Sequence, residues 1–228
     1  MWLLSTIAVY FIARTIALRV KHPLCNPIFI ALAVLMTGLS LTDTSYAVYF
    51  EQNEVLHALL GPAIVAMAYP VYEQLPTIRR YWKVIFLACM TASVLSMAIG
   101  AGLALFISDN LVIMASVLPK SISTPFALSV SEHIGGVASI TSALVIVAGL
   151  LGAMFAYPIF NWLKIKSPLA RGLAIGAVSH AIGTAKAAES DYKEGAMSSL
   201  ALVLCGIITS VLSPLFFALF TWLTTTPM

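Results

Sequence analysis

Two short polar stretches interrupt an otherwise apolar sequence, and they carry the side chains best suited to bind a ligand. Residues 119–125 contain Lys120, and residues 179–185 contain His180. In lipid-like surroundings, an unpaired lysine costs at least about 2.5 to 3.5 kcal/mol on insertion scales. Lys120 therefore needs a counter-charge, which a small carboxylate would supply while accepting hydrogen bonds from the ammonium.

Both stretches also carry hydroxyl groups beside a predicted helix start. Thr124 suits an N-cap and Pro125 the first helical position, and Thr184 occupies the matching place in the second stretch. Each short helix would present unpaired N–H groups and roughly half a positive charge. The pattern predicts an anion site formed by Lys120, Ser121, Ser123, Thr124, Ser179, His180 and Thr184.

Three residues are candidates for coupling ligand binding to a proton or another cation. His180 could bind the substrate or carry a proton near physiological pH, or it could simply be hydrogen-bonded inside the bundle. Lys186 and Glu189, three residues apart on one helical face, could form a compensated pair or belong to a solvated helix end. Lys193 and Glu194 fit a solvated helix end better.

Signatures of enzymes and metal sites are missing from the sequence. It has no HExxH, no GxSxG and no glycine-rich phosphate loop, and its scattered His and acidic residues lack metal-ligand spacing. Cys25, Cys89 and Cys205 are interpreted as apolar packing residues. We expect no metal, no cofactor and no enzymatic activity, although His180 and the nearby hydroxyls leave an intramembrane enzyme as an alternative.

Composition places these residues in a membrane. The chain has 228 residues, of which 61% are hydrophobic and 9% are charged, and its mean hydropathy is +0.99, which excludes a water-soluble monomer. The net charge of +3 is scattered over short loops, so no surface for nucleic acid is expected. Apolar runs of about 20 residues can cross a ~30 Å hydrocarbon core. The predicted fold class is all-α, a polytopic helical membrane protein.

About six spanning helices and two interrupted hairpins are expected. The spans are residues 2–18, 27–41, 55–72, 82–107, 136–163 and 196–222, and the hairpins are residues 110–134 and 168–194. The positive-inside bias places three basic clusters in the cytoplasm, namely Arg19 with Lys21, Arg79 with Arg80 and Lys83, and Lys164 with Lys166 and Arg171. With all three clusters on the cytoplasmic side, the two interrupted segments cannot make net crossings. Each must therefore enter the membrane and fold back, one from each side. The alternative is that both segments cross.

The sequence repeats itself at an offset of 60 residues. Residues 119–125 then superimpose on residues 179–185, so that Lys120 matches His180. One spanning helix plus one hairpin that does not cross makes an odd number of crossings, so successive copies are inverted. Interrupted segments at matching positions of inverted repeats indicate the binding site of a secondary transporter. We divide the single domain, residues 1–228, into N-terminal helices (1–80) and two repeats (81–228).

The chain resembles the LrgB/CidB family over nearly its whole length. The resemblance is carried by Leu118-Pro119-Lys120-Ser121, Ser123-Thr124-Pro125, Gly135-Gly136, Gly149-Leu150-Leu151-Gly152-Ala153, Ala170-Arg171-Gly172-Leu173-Ala174, Ser179-His180-Ala181-Ile182-Gly183-Thr184-Ala185 and Glu194-Gly195-Ala196-Met197-Ser198-Ser199-Leu200. It departs from the family at Lys186, where arginine is frequent, and at Phe126, where isoleucine is usual.

This resemblance implies a bacterial inner-membrane protein that works beside a smaller LrgA/CidA-type membrane protein. The family is described as holin-like or antiholin-like and linked to control of murein hydrolases and lysis, and relatives include the plastid glycolate/glycerate transporter and bacterial pyruvate-uptake systems. We expect a secondary transporter of a small monocarboxylate such as pyruvate, glycolate or glycerate. The alternative is a holin-like pore or regulator. Further expected partners are membrane lipid and other copies of the chain.

Overall fold

The computed structural model describes residues 2–20, 26–59, 62, 65–66, 68–108 and 110–225. The regular structure over these residues is helical. The chain forms two compact units, Met1–Tyr69 and Pro70–Met228. The second unit contains both polar stretches that the sequence singles out.

The first unit is built from two longer and two short helices. They are α1 (Trp2–Val20), α2 (Pro27–Leu41), α3 (Tyr46–Gln52) and α4 (Glu54–Ala58), and α5 (Ala68–Glu73) runs across the boundary between the units. Asn26 caps α2 by accepting from the Ile28 N–H, and Pro27 suits the first turn. α1 packs along α2, where Gly38 lies against the Trp2 ring.

The second unit alternates long helices with interrupted ones. Its elements are α6 (Leu75–Ile107), α7 (Leu111–Val117), α8 (Thr124–His133), α9 (Ala138–Trp162), α10 (Pro168–Ser190) and α11 (Tyr192–Thr225). Non-helical backbone angles at Tyr81 divide α6, so its apolar part begins at the predicted residue 82. Asp191 begins α11 by accepting from the backbone N–H groups of Lys193 and Glu194.

Among the described residues, four helices are long and apolar enough to span a membrane: α1, α6, α9 and α11. They match four of the predicted spans, and the protein is a multi-pass helical membrane protein. The expected count of about six is not confirmed. α2 has only 15 residues, fewer than the ~20 that a bilayer needs. Part of the predicted span 55–72 lies outside the described residues, and the rest contains only the short helices α4 and α5.

Residues 110–134 fold back as predicted, and we call this segment hairpin 1. Its two arms, α7 and α8, both contact Thr141 near the start of α9. The Thr141 hydroxyl donates to the carbonyl of Ser116 at 3.1 Å and bonds with Ser131 Oγ at 2.6 Å. In a straight helix, Ser116 and Ser131 would lie about 22 Å apart. The segment therefore enters and returns on one side.

α10 reverses direction at His180 and forms hairpin 2, residues 168–190. The first arm runs parallel to α11, since Gly172 lies against Met197 and Gly176 against Ala201. The second arm runs antiparallel to α11, since Thr184 bonds Ser198 and Ala188 lies against Gly195. The two arms are thus antiparallel to each other, which confirms the predicted fold-back.

The contacts of the two hairpins repeat at the predicted offset. Ser116 of hairpin 1 bonds Thr141 of α9, and Gly176 of hairpin 2 touches Ala201 of α11. Gly176 lies 60 positions after Ser116, and Ala201 lies 60 positions after Thr141. Each hairpin therefore packs on the helix that follows it through equivalent positions, as a repeat of 60 residues predicts.

α6 and α11 run parallel and close the unit. Cys205 Sγ lies 3.7 Å from the Cys89 carbonyl, and Ser213 Oγ lies 3.5 Å from Met97 Sδ. Cys89 and Cys205 are free and buried in an apolar cluster. Tyr192, at the start of α11, donates a hydrogen bond to Glu73 just before α6.

Two of the basic clusters lie at one end of this unit, as the charge bias predicts. Arg79 and Arg80 follow Glu73, which bonds the start of α11, and Arg171 reaches Glu194 in the first turn of α11. We call this the basic end. Lys21, part of the first basic cluster, and Cys25, interpreted as an apolar packing residue, lie outside the described residues.

Candidate functional site

The tip of hairpin 1 presents Lys120 to the middle of α6. Lys120 Nζ donates to the Ser96 carbonyl at 2.9 Å and to Ser96 Oγ at 3.0 Å, and Ser96 Oγ bonds Ser121 Oγ at 2.7 Å. Gly100, one turn further along α6, leaves room for the ammonium, because a Cβ there would lie 3.0 Å from Nζ. Sequence reasoning missed Ser96, which lies 24 residues from its partner.

Lys120 has no acidic partner among the described residues. The ion pairs there are Arg171 with Glu194 and Lys186 with Glu189. Two of the three ammonium protons are taken by Ser96, which leaves one donor and the whole positive charge uncompensated. An anion that reached this tip would find both a charge and a donor.

The second arm of hairpin 1, α8, begins one residue earlier than predicted. Its N-cap is Ser123, not Thr124, and Thr124 and Pro125 occupy the first turn. The difference is local, since serine and threonine are equivalent cap types and helix ends shift easily by one residue. Ser123 makes no side-chain cap hydrogen bond. The α8 N-terminus at the tip therefore keeps positive polarity without a cap.

The tip of hairpin 2 is His180, which has φ 39° and ψ −130°. A residue with a side chain reaches this left-handed region only at a cost of about 1 to 3 kcal/mol. Such strain persists where the surroundings impose it. Here Gly183 allows the second arm to approach closely, since a Cβ at Gly183 would lie 2.7 Å from Ile175 Cγ2.

The His180 side chain is buried and directed toward α9. Its Nε2 lies 2.9 Å from the Val145 carbonyl, and it is 3% exposed. A carbonyl only accepts, so Nε2 carries the proton, and in a neutral ring Nδ1 is then the acceptor. Gly149 provides the space, because a Cβ there would lie 2.6 Å from His180 Cε1.

Ser179 is buried beside His180 with its hydroxyl unsatisfied. Ser179 is 0% exposed, and Oγ has no hydrogen-bond partner in the described structure. It lies against Gly152, where a Cβ would overlap the hydroxyl. A buried hydroxyl without a partner costs about 1 to 3 kcal/mol, which a bound polar ligand would recover.

Thr184 is not the N-cap that the sequence predicts, because the second arm already begins after His180. Thr184 is buried inside this arm, where its hydroxyl donates to the His180 carbonyl at 2.7 Å. The hydroxyl also lies 2.7 Å from Ser198 Oγ, which must then be the donor. Thr184 thus stabilises the chain reversal at His180 and connects it to α11 through Ser198.

The two tips meet the same core. Val145, whose carbonyl bonds His180, belongs to the apolar cluster that also contains Leu118 and Ile122 on either side of Lys120. The hairpins enter from opposite ends of the unit, so their second arms begin near this cluster with opposed directions. Both tips therefore contact this cluster, and the direct approach of two positively polarised helix starts remains a prediction.

The remaining predicted charges lie away from the tips. Lys186 and Glu189 form the predicted pair at 3.8 Å, but both side chains are nearly half exposed. The interpretation of Glu194 as part of a solvated helix end is wrong. Its side chain is 5% exposed and bonds Tyr157 and Arg171, because α9 and hairpin 2 cover the first turn of α11.

The family is decided by a comparison with known proteins. The family model described as "LrgB-like family" matches residues 6–219. The chain belongs to this family. Residues 6–219 include both hairpins and the helices that position them, so the tips described above are features of an LrgB-like protein.

Relatives of this LrgB-like chain come from several bacteria. A protein of Haemophilus influenzae without a functional name is 41% identical over 214 residues, which cover 94% of this chain and 93% of the relative. A Staphylococcus epidermidis protein named "Holin-like protein CidB" is 33% identical over 218 residues, 96% of this chain and 95% of the relative. The Staphylococcus aureus protein of the same name is 32% identical over 219 residues. No solved structure matches the chain.

Proposed function

We propose that this protein is a secondary transporter of a small monocarboxylate and that the two hairpin tips bind the substrate. The observation that carries the proposal is Lys120, a lysine at the tip of a re-entrant hairpin with no acidic partner among the described residues. A carboxylate would take its free N–H, replace the missing counter-charge and approach the α8 N-terminus.

The second tip would bind the other end of the substrate. His180 offers Nδ1 as an acceptor, and Ser179 offers a buried hydroxyl without a partner. Nδ1 suits a substrate hydroxyl, as in glycolate or glycerate, and the Ser179 hydroxyl suits either a hydroxyl or a carbonyl, as in pyruvate. Coupling to a proton would use His180, since imidazole changes charge near physiological pH.

The membrane context is part of the same proposal. We place the protein in the bacterial inner membrane with the basic end in the cytoplasm. A smaller LrgA/CidA-type membrane protein and further copies of the chain are its proposed partners. The substrate would enter from one end of the unit and leave from the other, past tips that are reached from opposite sides.

A second candidate function comes from the names of the relatives. Two staphylococcal relatives are called holin-like. On this interpretation the chain forms or regulates a pore that controls murein hydrolases and lysis. Such a pore would release large and chemically unrelated solutes, whereas the transporter would select a small acid.

The transporter proposal is tested by uptake into proteoliposomes. We expect saturable uptake of labelled two- to four-carbon monocarboxylates, competed by unlabelled acid but not by an amine of similar size. Ser96→Asp would place a carboxylate beside Lys120 and compete with the substrate, so uptake should fall about tenfold or more. Ser96→Asn is the matched neutral variant and should fall less. Equal uptake by both variants would exclude Lys120 as the anion-binding group.

A further inference from the structure

A second polar cluster closes the base of hairpin 2 at the basic end. Glu194 Oε2 accepts from the Tyr157 hydroxyl at 2.7 Å, and Oε1 lies 3.4 Å from Arg171 Nη1. Arg171 Nε donates to the Ile165 carbonyl at 2.7 Å. The cluster thus connects α9, the connection to hairpin 2, the first arm and α11, all of which meet at the mouth of the hairpin.

This cluster is charged but not completely buried. The Glu194 side chain is 5% exposed and that of Arg171 is 20% exposed, with the guanidinium carbon 5.8 Å from the centre of the Phe160 ring. Burying an ion pair removes much of its hydration, and this loss offsets much of its attraction. If the first arm moved away from α11, water would reach both charges. Hydration of the two charges therefore offsets part of the cost of opening this end.

The base of hairpin 1 is closed in a different way. Ser116, Ser131 and Thr141 are each 0% exposed and form a neutral hydroxyl network. Gly136 packs so closely beside them that a Cβ would lie 2.9 Å from the Ser116 nitrogen. Opening this end would expose apolar packing without hydrating any charge, so no gain offsets its cost.

The contact between the first arm of hairpin 2 and α11 is close and involves small residues, with Leu173 and Ala177 buried against Ala201 and Cys205. Gly172 and Gly176 lie against the α11 backbone, and a Cβ at Gly172 would lie 2.5 Å from the Glu194 carbonyl. Once the ion pair separates, the arm can move with few steric barriers.

We propose that the Arg171–Glu194 pair, held by Tyr157, is a latch that keeps hairpin 2 closed over the tips. Hairpin 2, and not hairpin 1, then opens toward the basic end. The role of the latch in admitting substrate rests on the proposed transport function. The latch itself is a property of the fold and can be measured without transport.

The test uses two buried alanines as matched reporters. Ala187 in hairpin 2 and Ala127 in hairpin 1 are 60 positions apart and both 0% exposed. Each is changed to cysteine in a background where Cys25, Cys89 and Cys205 are alanine. The rate of labelling by a membrane-impermeant maleimide is then measured from the basic end.

Glu194→Gln should raise the labelling rate at position 187 about tenfold or more and leave position 127 unchanged. Glu132→Gln, at the exposed end of hairpin 1, is the matched control and should change neither rate. Exchanging the charges in Arg171→Glu with Glu194→Arg should slow labelling relative to either single variant. The latch is refuted if Glu194→Gln labels position 187 no faster than the control, or if both reporters accelerate together.

Carboxylate uptake by the same preparations separates the latch from the transport function. Faster labelling at position 187 without any carboxylate uptake would refute the proposed function and support the latch. Saturable uptake with unchanged labelling would support the function and refute the latch.

Discussion

Removing the charge of Lys120 should strongly weaken carboxylate binding while leaving the fold intact. Lys120→Met removes the ammonium together with its hydrogen bonds to the Ser96 carbonyl and hydroxyl, at 2.9 and 3.0 Å. It also removes the remaining N–H that would donate to the substrate. One hydrogen bond to a charged group contributes about 1.5 to 3 kcal/mol. At 1.4 kcal/mol per factor of ten, the dissociation constant should rise about 10- to 150-fold.

The effect of this variant on stability should be small, because two contributions oppose each other. The two bonds to Ser96 are lost, but so is the cost of at least about 2.5 to 3.5 kcal/mol for a lysine deep in the membrane. Ser96 Oγ keeps its partner Ser121. The temperature of thermal unfolding in detergent should therefore remain close to that of the unchanged protein.

The assay is equilibrium binding of a labelled monocarboxylate to purified protein, followed by uptake into proteoliposomes. Lys193→Met is the matched control, since Lys193 is exposed at the start of α11 and only its backbone N–H is bonded to Asp191. We expect normal affinity in the control and lost affinity in Lys120→Met. An unchanged dissociation constant in Lys120→Met would refute the proposed site, and equal losses in both variants would indicate a nonspecific charge effect.

Three further predictions concern packing around the tips. Gly100→Ala should weaken carboxylate binding several-fold, because its Cβ would lie 3.0 Å from the Lys120 ammonium. Gly102→Ala is the control and should bind normally, because its Cβ would meet nothing within 4 Å. Equal binding by the two variants would contradict this geometry. The free energy of unfolding of His180→Gly should exceed that of His180→Ala by about 1 to 2 kcal/mol, because glycine tolerates φ 39°. In a regular helix the order would be reversed. Oxidation by copper phenanthroline should join Cys89 to Cys205 within one chain, because the two residues lie together where α6 and α11 pack. Peptide mapping would detect the linkage. A disulfide formed only between chains would contradict this packing.

The predictable part of this fold depends on local signals. The polar breaks around Lys120 and His180 are visible because everything around them is apolar. Counting crossings against the basic clusters then requires re-entrant segments, and the structure has both hairpins. The offset of 60 residues reappears in the contacts because both repeats use the same positions to pack on the following helix.

The errors arise where a tertiary contact decides the outcome. A histidine at positive φ is uncommon, so nothing local indicates that the second hairpin turns at His180 and not at Gly183-Thr184. Glu194 follows Asp191 and Lys193 in the sequence, which is typical of a solvated helix end. Only the packing of α9 against it creates the buried pair with Arg171.

The predicted number of about six spans is not confirmed over the described residues, and α2 gives one reason. Hydropathy detects that residues 27–41 are apolar, but α2 reaches only 15 residues before Thr42 ends it. Crossing a bilayer is decided by length as well as by composition. Of the four helices that match, α6, α9 and α11 have 33, 25 and 34 residues, and α1 has 19.

Simultaneous measurement of carboxylate exchange and dye retention tests the central claim most directly. Proteoliposomes loaded with an unlabelled monocarboxylate and a large fluorescent dye are diluted into labelled acid. The transporter account predicts saturable accumulation of the label while the dye stays inside. Release of the dye together with the acid, or the absence of any exchange, would contradict it.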